Sequence, residues 1–183
     1  MIPELESLRD KLASREQTGR IRIDSESDEA FAIVPTIEDT FTINVSYSDG
    51  TYQIAVGPWY GQFEDIQSAS AVTCWLLTPY YRIATSYTQD QPIASWLEIY
   101  TDAGWESTEY VYFEDSDSIE SPVDNADKIV ILTQAVFLDS SFTAYHPAAH
   151  LDGAGYPLGT IIGETTYEMR EDGWYPTGVP IAD

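Results

Sequence analysis

The clearest structural signal in this sequence is residues 41–56, FTINVSYSDGTYQIAV. Apolar and polar residues alternate strictly from Phe41 onward, which is typical of a half-buried strand. Asp49 and Gly50 then provide the two positive φ angles of a type I′ turn. A two-residue loop at this point gives three apolar cross-strand pairs, Tyr47–Tyr52, Val45–Ile54 and Ile43–Val56. The apolar side chains then share one face, so the stretch predicts an antiparallel hairpin.

Further strands are predicted after this hairpin. Three segments rich in Tyr, Ile, Trp and Val are separated by short polar turns: residues 81–87, 93–100 and 105–113. Such composition favours strands, and connections this short favour an antiparallel meander. Glu171, Asp172 and Gly173 indicate another hairpin turn within the Gly- and Pro-rich region of residues 145–183.

Two helices are predicted before the meander. Residues 3–18 begin with a proline, carry leucines at helical spacing and are followed by Gly19. The leucine stripe is expected to pack against the domain, since such stripes usually form core contacts. Asp65 caps a second helix that ends before Pro79.

Residues 122–138 fit two interpretations. The run Ile129-Val130-Ile131-Leu132 suits a buried strand, whereas the wider spacing of apolar residues suits a helix that begins at Pro122 or Asp124. We favour the helix.

These elements predict a single α+β domain over residues 1–183. Its main part is an antiparallel sheet of meanders and hairpins, with two or three helices packed against it. Apolar residues make up 43% of the chain and aromatic residues 13%, which is enough for a core and excludes a disordered chain.

The charge balance is strongly acidic. Thirty-one acidic residues and eight Lys or Arg residues give a formal net charge of −23. Such a surface attracts basic proteins and repels nucleic acid, so we expect no direct nucleic-acid binding. The sequence shows no signal peptide and no apolar run long enough to cross a membrane, so we expect a cytoplasmic protein without a membrane partner. Its one cysteine, Cys74, excludes an internal disulfide and fits a reducing compartment.

Aromatic residues next to acidic residues provide a candidate partner-binding surface. Tyr and Trp are enriched at protein interfaces because they bury much area and keep a polar group. The candidate residues are Trp59, Tyr60, Tyr110, Tyr112, Glu114, Asp115 and Asp117. The alternative is that the rings cover the core and that the acidic run is a solvated loop.

A candidate metal site is the H-x3-H-x-D cluster of His146, His150 and Asp152. Imidazoles four residues apart on a helix can share one metal ion. Pro147 and the glycines that follow favour a solvated loop instead. No P-loop, dinucleotide-binding, nucleophile-elbow or kinase motif occurs, so no cofactor is expected. Cys74 beside Trp75 suits a small buried side chain better than a nucleophile.

The favoured hypothesis is therefore a non-enzymatic protein that binds a basic protein partner, as an inhibitor, an immunity-type protein or a mimic of nucleic-acid charge. One alternative is a metal-assisted hydrolase that uses His146, His150 and Asp152. Another is a soluble domain whose acidity serves only solubility or adaptation to salt.

Overall fold

A computed structural model describes residues 2–16, 18–113, 121–137, 156–157, 160–171 and 173–177. Within these ranges lie two helices, α1 (Pro3–Glu16) and α2 (Ile66–Trp75). The strands are β1 (Ile21–Ser27), β2 (Ala30–Pro35), β3 (Ile43–Ser48), β4 (Thr51–Val56), β5 (Trp59–Phe63), β6 (Tyr81–Thr88), β7 (Gln91–Thr101), β8 (Gly104–Ser107), β9 (Val111–Tyr112), β10 (Lys128–Thr133), β11 (Gly163–Arg170) and β12 (Gly173–Pro176). Antiparallel sheets thus dominate, as predicted.

The first sheet is a five-stranded meander in the order β1-β2-β3-β4-β5. The predicted hairpin, β3–β4, lies inside it. Its register is the one that the alternation requires, since Tyr47 is opposite Tyr52 and Val45 is opposite Ile54. Asp49 and Gly50 have φ angles of 52° and 85°, as a type I′ turn demands. The sheet also contains β1, β2 and β5, which were not predicted.

The second sheet has seven strands. Six follow the order β12-β11-β10-β6-β7-β8, and β9 also pairs with β7. The predicted strand over residues 105–113 is therefore two short strands that pair with different parts of β7. The predicted hairpin at Gly173 is present as β11–β12.

The helix favoured within residues 122–138 is wrong. This segment forms β10, which pairs with β6 on one side and with β11 on the other. Ile129 and Ile131 contact one cluster of apolar residues and Leu132 contacts another, so both faces of the strand are covered. A central strand of this kind has a continuous apolar run instead of an alternating one. The described residues accordingly hold two helices rather than three.

Both helices bury their apolar faces. Leu5, Leu8 and Leu12 of α1 are buried, as the stripe predicted, although the helix ends at Glu16 and not at residue 18. Asp65 caps α2 as predicted, because its side chain accepts hydrogen bonds from the backbone N–H groups of Gln67 and Ser68. Among the described residues, no helix is long and apolar enough to span a membrane.

Two apolar clusters organise the domain. The main core joins both helices, the first sheet and one face of the second sheet. A smaller cluster occupies the opposite face of the second sheet and contains Ala84, Ala94, Trp96 and Ile129. Because side chains alternate along a strand, Ile83 of β6 enters the main core while Ala84 enters the smaller cluster. The second sheet is therefore covered on both faces, and its second face carries the candidate site.

Candidate functional site

An ion pair lies on the second face of the second sheet. Arg82 of β6 is directly opposite Glu98 of β7. The Nε atom of Arg82 is 2.5 Å from Oε2 of Glu98, and the two side chains are only 16% and 12% exposed. A pair this sheltered from water is a defined structural feature rather than a mobile surface contact.

Two tryptophans fix the orientation of this pair. Trp96 lies two residues before Glu98 on the same face, and its Nε1–H donates to Oε1 of Glu98 at 2.9 Å. The Arg82 guanidinium carbon lies 4.0 Å from the ring centre of Trp105 on β8, which is a cation–π contact. Both carboxylate oxygens of Glu98 therefore accept a hydrogen bond, and the guanidinium is held by a carboxylate and a ring.

The ion pair borders a cleft of about 360 Å³, here called the Arg82 cleft. Its lining combines this pair with aromatic and branched apolar side chains: Arg82, Trp96, Glu98, Ser107, Val123, Ile129, Ile131, Tyr167 and Trp174. These residues come from β6, β7, β8, β10, β11 and β12 and from the segment before β10. The cleft is thus assembled by sheet pairing between segments that are distant in sequence.

Tyr110 and Tyr112, here called the tyrosine pair, lie beside the cleft. The Tyr110 ring is 5.0 Å from Trp96 in an edge-on arrangement and 6.2 Å from Tyr112. Tyr110 is 36% exposed. Partial burial raises the pKa of its hydroxyl, and the neighbouring Tyr112, Glu98 and Asp124 raise that pKa further. The carboxylates of Glu98 and Asp124 thus disfavour an anion at Tyr110.

The other predicted partner-binding residues are placed differently. Trp59 is 5% exposed and belongs to the main core, so its ring is not available to a partner. Tyr60 is 40% exposed on β5 in the first sheet, whereas the tyrosine pair belongs to the second sheet region. Glu114, Asp115 and Asp117 lie outside the described residues.

The predicted metal ligands His146, His150 and Asp152 also lie outside the described residues, so the metal site stays a prediction. Within the part of the chain that the structure describes, no group of three or more His, Cys, Asp or Glu side chains could hold a metal ion.

A second, larger depression of about 880 Å³ runs between α1 and α2 and contains Cys74. Burial raises the pKa of the Cys74 thiol, and the opposing effect of Lys11 and Arg15 is smaller. The thiol therefore stays protonated at neutral pH and is a poor nucleophile.

The sequence alone did not reveal the ion pair. Arg82 and Glu98 are each a lone charge inside a predicted apolar strand, and that is the signal that could have marked them. Their pairing depends on the register of β6 against β7, which a list of strands does not specify.

Comparison with protein-family models, with curated proteins and with solved structures gave no match.

Proposed function

We propose that this protein is a non-enzymatic acidic binding protein whose partner is a basic protein. The tyrosine pair is the contact point for a Lys or Arg side chain of that partner. The observation that carries the proposal is the environment of Tyr110, a partly exposed ring that contacts Trp96 and Tyr112 and on which the carboxylates of Glu98 and Asp124 act electrostatically.

The chemistry of this environment suits a cation. The face of an aromatic ring attracts ammonium and guanidinium groups, and a nearby carboxylate strengthens that attraction. The chain uses the same combination internally, where Arg82 lies between Glu98 and the Trp105 ring. The net charge of −23 would draw a basic partner toward the surface from a distance and speed its association.

The first experiment is affinity capture from a lysate of the native host, followed by identification of the captured protein and measurement of Kd with that protein purified. The proposal expects a basic partner whose binding weakens between about 0.1 M and about 0.5 M NaCl, because salt screens charge attraction. Tyr110→Ala should weaken binding about fivefold, while Tyr110→Phe, which keeps the ring, should have a smaller effect.

A matched pair of charge variants tests whether the partner binds at the tyrosine pair. Asp124→Asn and Glu29→Gln remove the same charge from exposed positions, but Glu29 lies in the turn between β1 and β2 of the first sheet. Asp124→Asn should weaken binding more than Glu29→Gln. Equal effects of the two variants, or a captured partner that is itself acidic, would contradict the proposal.

A further inference from the structure

The Arg82 cleft has more hydrogen-bond donors than acceptors. An arginine side chain carries five N–H donors. In Arg82 the Nε–H donates to Glu98, and the four N–H groups of the two terminal nitrogens have no hydrogen-bond partner among the described residues. Trp174 and Tyr167 also line the cleft. The indole N–H of Trp174 and the hydroxyl of Tyr167 likewise have no hydrogen-bond partner among the described residues.

Both carboxylate oxygens of Glu98 are already engaged. Each carboxylate oxygen of Glu98 accepts one hydrogen bond, from Arg82 or from Trp96. On the same face, Thr165 lies directly opposite Ile131, and its buried hydroxyl has no partner among the described residues. The terminal N–H groups of Arg82 and the indole N–H of Trp174 therefore remain for a ligand that brings acceptor atoms.

A carboxylate is the acceptor group that fits a guanidinium best. Its two oxygens can accept two parallel hydrogen bonds from one edge of the guanidinium fork. Because Glu98 and the Trp105 ring hold the Arg82 side chain in place, little rotational freedom remains to be lost when a ligand binds.

The rest of the cleft suits a flat apolar group. Ile129 and Ile131 of β10 line it with aliphatic side chains, and Trp96 and Trp174 contribute ring surfaces. The volume of about 360 Å³ is in the range of small-molecule sites, which begins at roughly 300 Å³. We infer that the Arg82 cleft binds a small aromatic carboxylate, with the carboxylate on the terminal nitrogens of Arg82 and the ring against the tryptophans and isoleucines.

This inference does not depend on the proposed basic partner, and the two have opposite salt dependence. The net charge of −23 repels an anionic ligand at long range. Added salt screens that repulsion, so the affinity for a carboxylate should rise or stay constant with NaCl concentration, whereas the affinity for a basic protein should fall.

Three probes of nearly the same shape test the inference: benzoate, benzamide and benzamidine, which are anionic, neutral and cationic. Binding is measured by calorimetry, and the site is located by NMR from the methyl signals of Ile129 and Ile131. Benzoate should shift these signals and bind at least about tenfold more tightly than benzamide, since charge-assisted hydrogen bonds are the stronger ones. Benzamidine should leave the two methyl signals unchanged.

The variants are Arg82→Lys and, as a matched control, Arg22→Lys. Arg22 is an exposed arginine of β1 that pairs with Asp24, so the control makes the same replacement in the first sheet, outside the lining of the cleft. Arg82→Lys keeps the charge but loses the planar fork, and it should lower benzoate affinity about tenfold. Arg22→Lys should leave it unchanged. The thermal midpoint of each variant checks folding, and the methyl shifts in the unmodified protein test the inference even if Arg82→Lys does not fold.

Three results would overturn the inference. They are benzamidine binding as tightly as benzoate, benzoate shifting methyl signals elsewhere but not those of Ile129 and Ile131, and equal loss of benzoate affinity in both arginine variants.

Discussion

Arg82 shows how a chain with few cations uses one of them. Its guanidinium links three neighbouring strands, since it belongs to β6, pairs with Glu98 of β7 and stacks on Trp105 of β8. Removing either member of a sheltered pair leaves a charge without its partner, which costs more free energy than the intact pair contributes. The pair and the Trp105 ring therefore link side chains of β6, β7 and β8 beside the cleft.

Asp65 provides a test of stability at a single residue. Its Oδ1 accepts hydrogen bonds from the backbone N–H groups of Gln67 at 2.9 Å and Ser68 at 2.8 Å, and its Oδ2 accepts one from the Ser68 hydroxyl at 2.8 Å. The bond from the Ser68 backbone is the main cause of a pKa below the usual value for this carboxyl. Because the pKa is lower in the folded state, the stabilisation is present above the unfolded pKa of about 3.9 and is lost as the pH falls through the folded pKa.

Asp65→Ala should therefore lower the thermal midpoint at pH 7, and the gap to the unmodified protein should narrow below about pH 4. Asp65→Asn is the control, since an uncharged asparagine is also a good helix cap. The thermal midpoint of Asp65→Asn should exceed that of Asp65→Ala by the same amount at every pH. Thermal unfolding followed by circular dichroism gives these gaps, and a gap for Asp65→Ala that stays constant from pH 7 to pH 3 would contradict the assignment.

At the scale of elements, sequence predicted best where the signal was local. The β3–β4 hairpin combined strict alternation with an Asp-Gly turn, and α2 combined a capping residue with helical spacing, so both were predicted correctly. The β10 segment was wrong because its neighbours cover both faces, and a continuous apolar run carries no period of two. Its helical spacing was a coincidence of composition.

β1 and β5 were not predicted for reasons other than the burial of both faces. β1 carries Arg22, Asp24 and several other polar residues, so only Ile21 and Ile23 mark its inner face. β5 begins directly after Gly57-Pro58, residue types that usually mark loops, and these two residues are the whole connection between β4 and β5. The candidate site could not be predicted even from a correct list of strands, because Arg82 and Glu98 are 16 positions apart and meet only in one register.

The β3–β4 turn provides a prediction for an element. Gly50 has a φ angle of 85°, and a Cβ atom built there meets nothing within 4 Å. Gly50→Ala should therefore lower the free energy of unfolding through backbone strain alone, by about 1 kcal/mol. Urea unfolding measures this loss. Asp49→Asn is the control, because asparagine tolerates the left-handed conformation of that position, and it should change stability little. A Gly50→Ala variant as stable as the unmodified protein would show that the turn is not type I′.

At the scale of the whole molecule, the acidic side chains belong to both sheets. Exposed acids occupy the turn between β1 and β2 at Glu29, between β7 and β8 at Asp102 and after β11 at Glu171. Charge distributed in this way attracts a basic partner but does not determine where on the surface the partner binds. The proposed contact therefore requires a local feature such as the tyrosine pair, and the distributed charge also has consequences for stability.

Those consequences can be measured as a dependence of stability on salt. Carboxylates that repel one another destabilise the compact state, and NaCl screens this repulsion over a distance of about 10 Å at 0.1 M. The urea midpoint should therefore rise between about 0.05 M and about 0.5 M NaCl. A variant that replaces the exposed Glu29, Glu64, Glu164 and Glu171 with glutamine makes the net charge less negative by four, −19 instead of −23. Its midpoint should rise less with salt, because less repulsion remains to be screened. An equal rise in both proteins would mean that salt acts through apolar burial, and that the acidity does not govern stability.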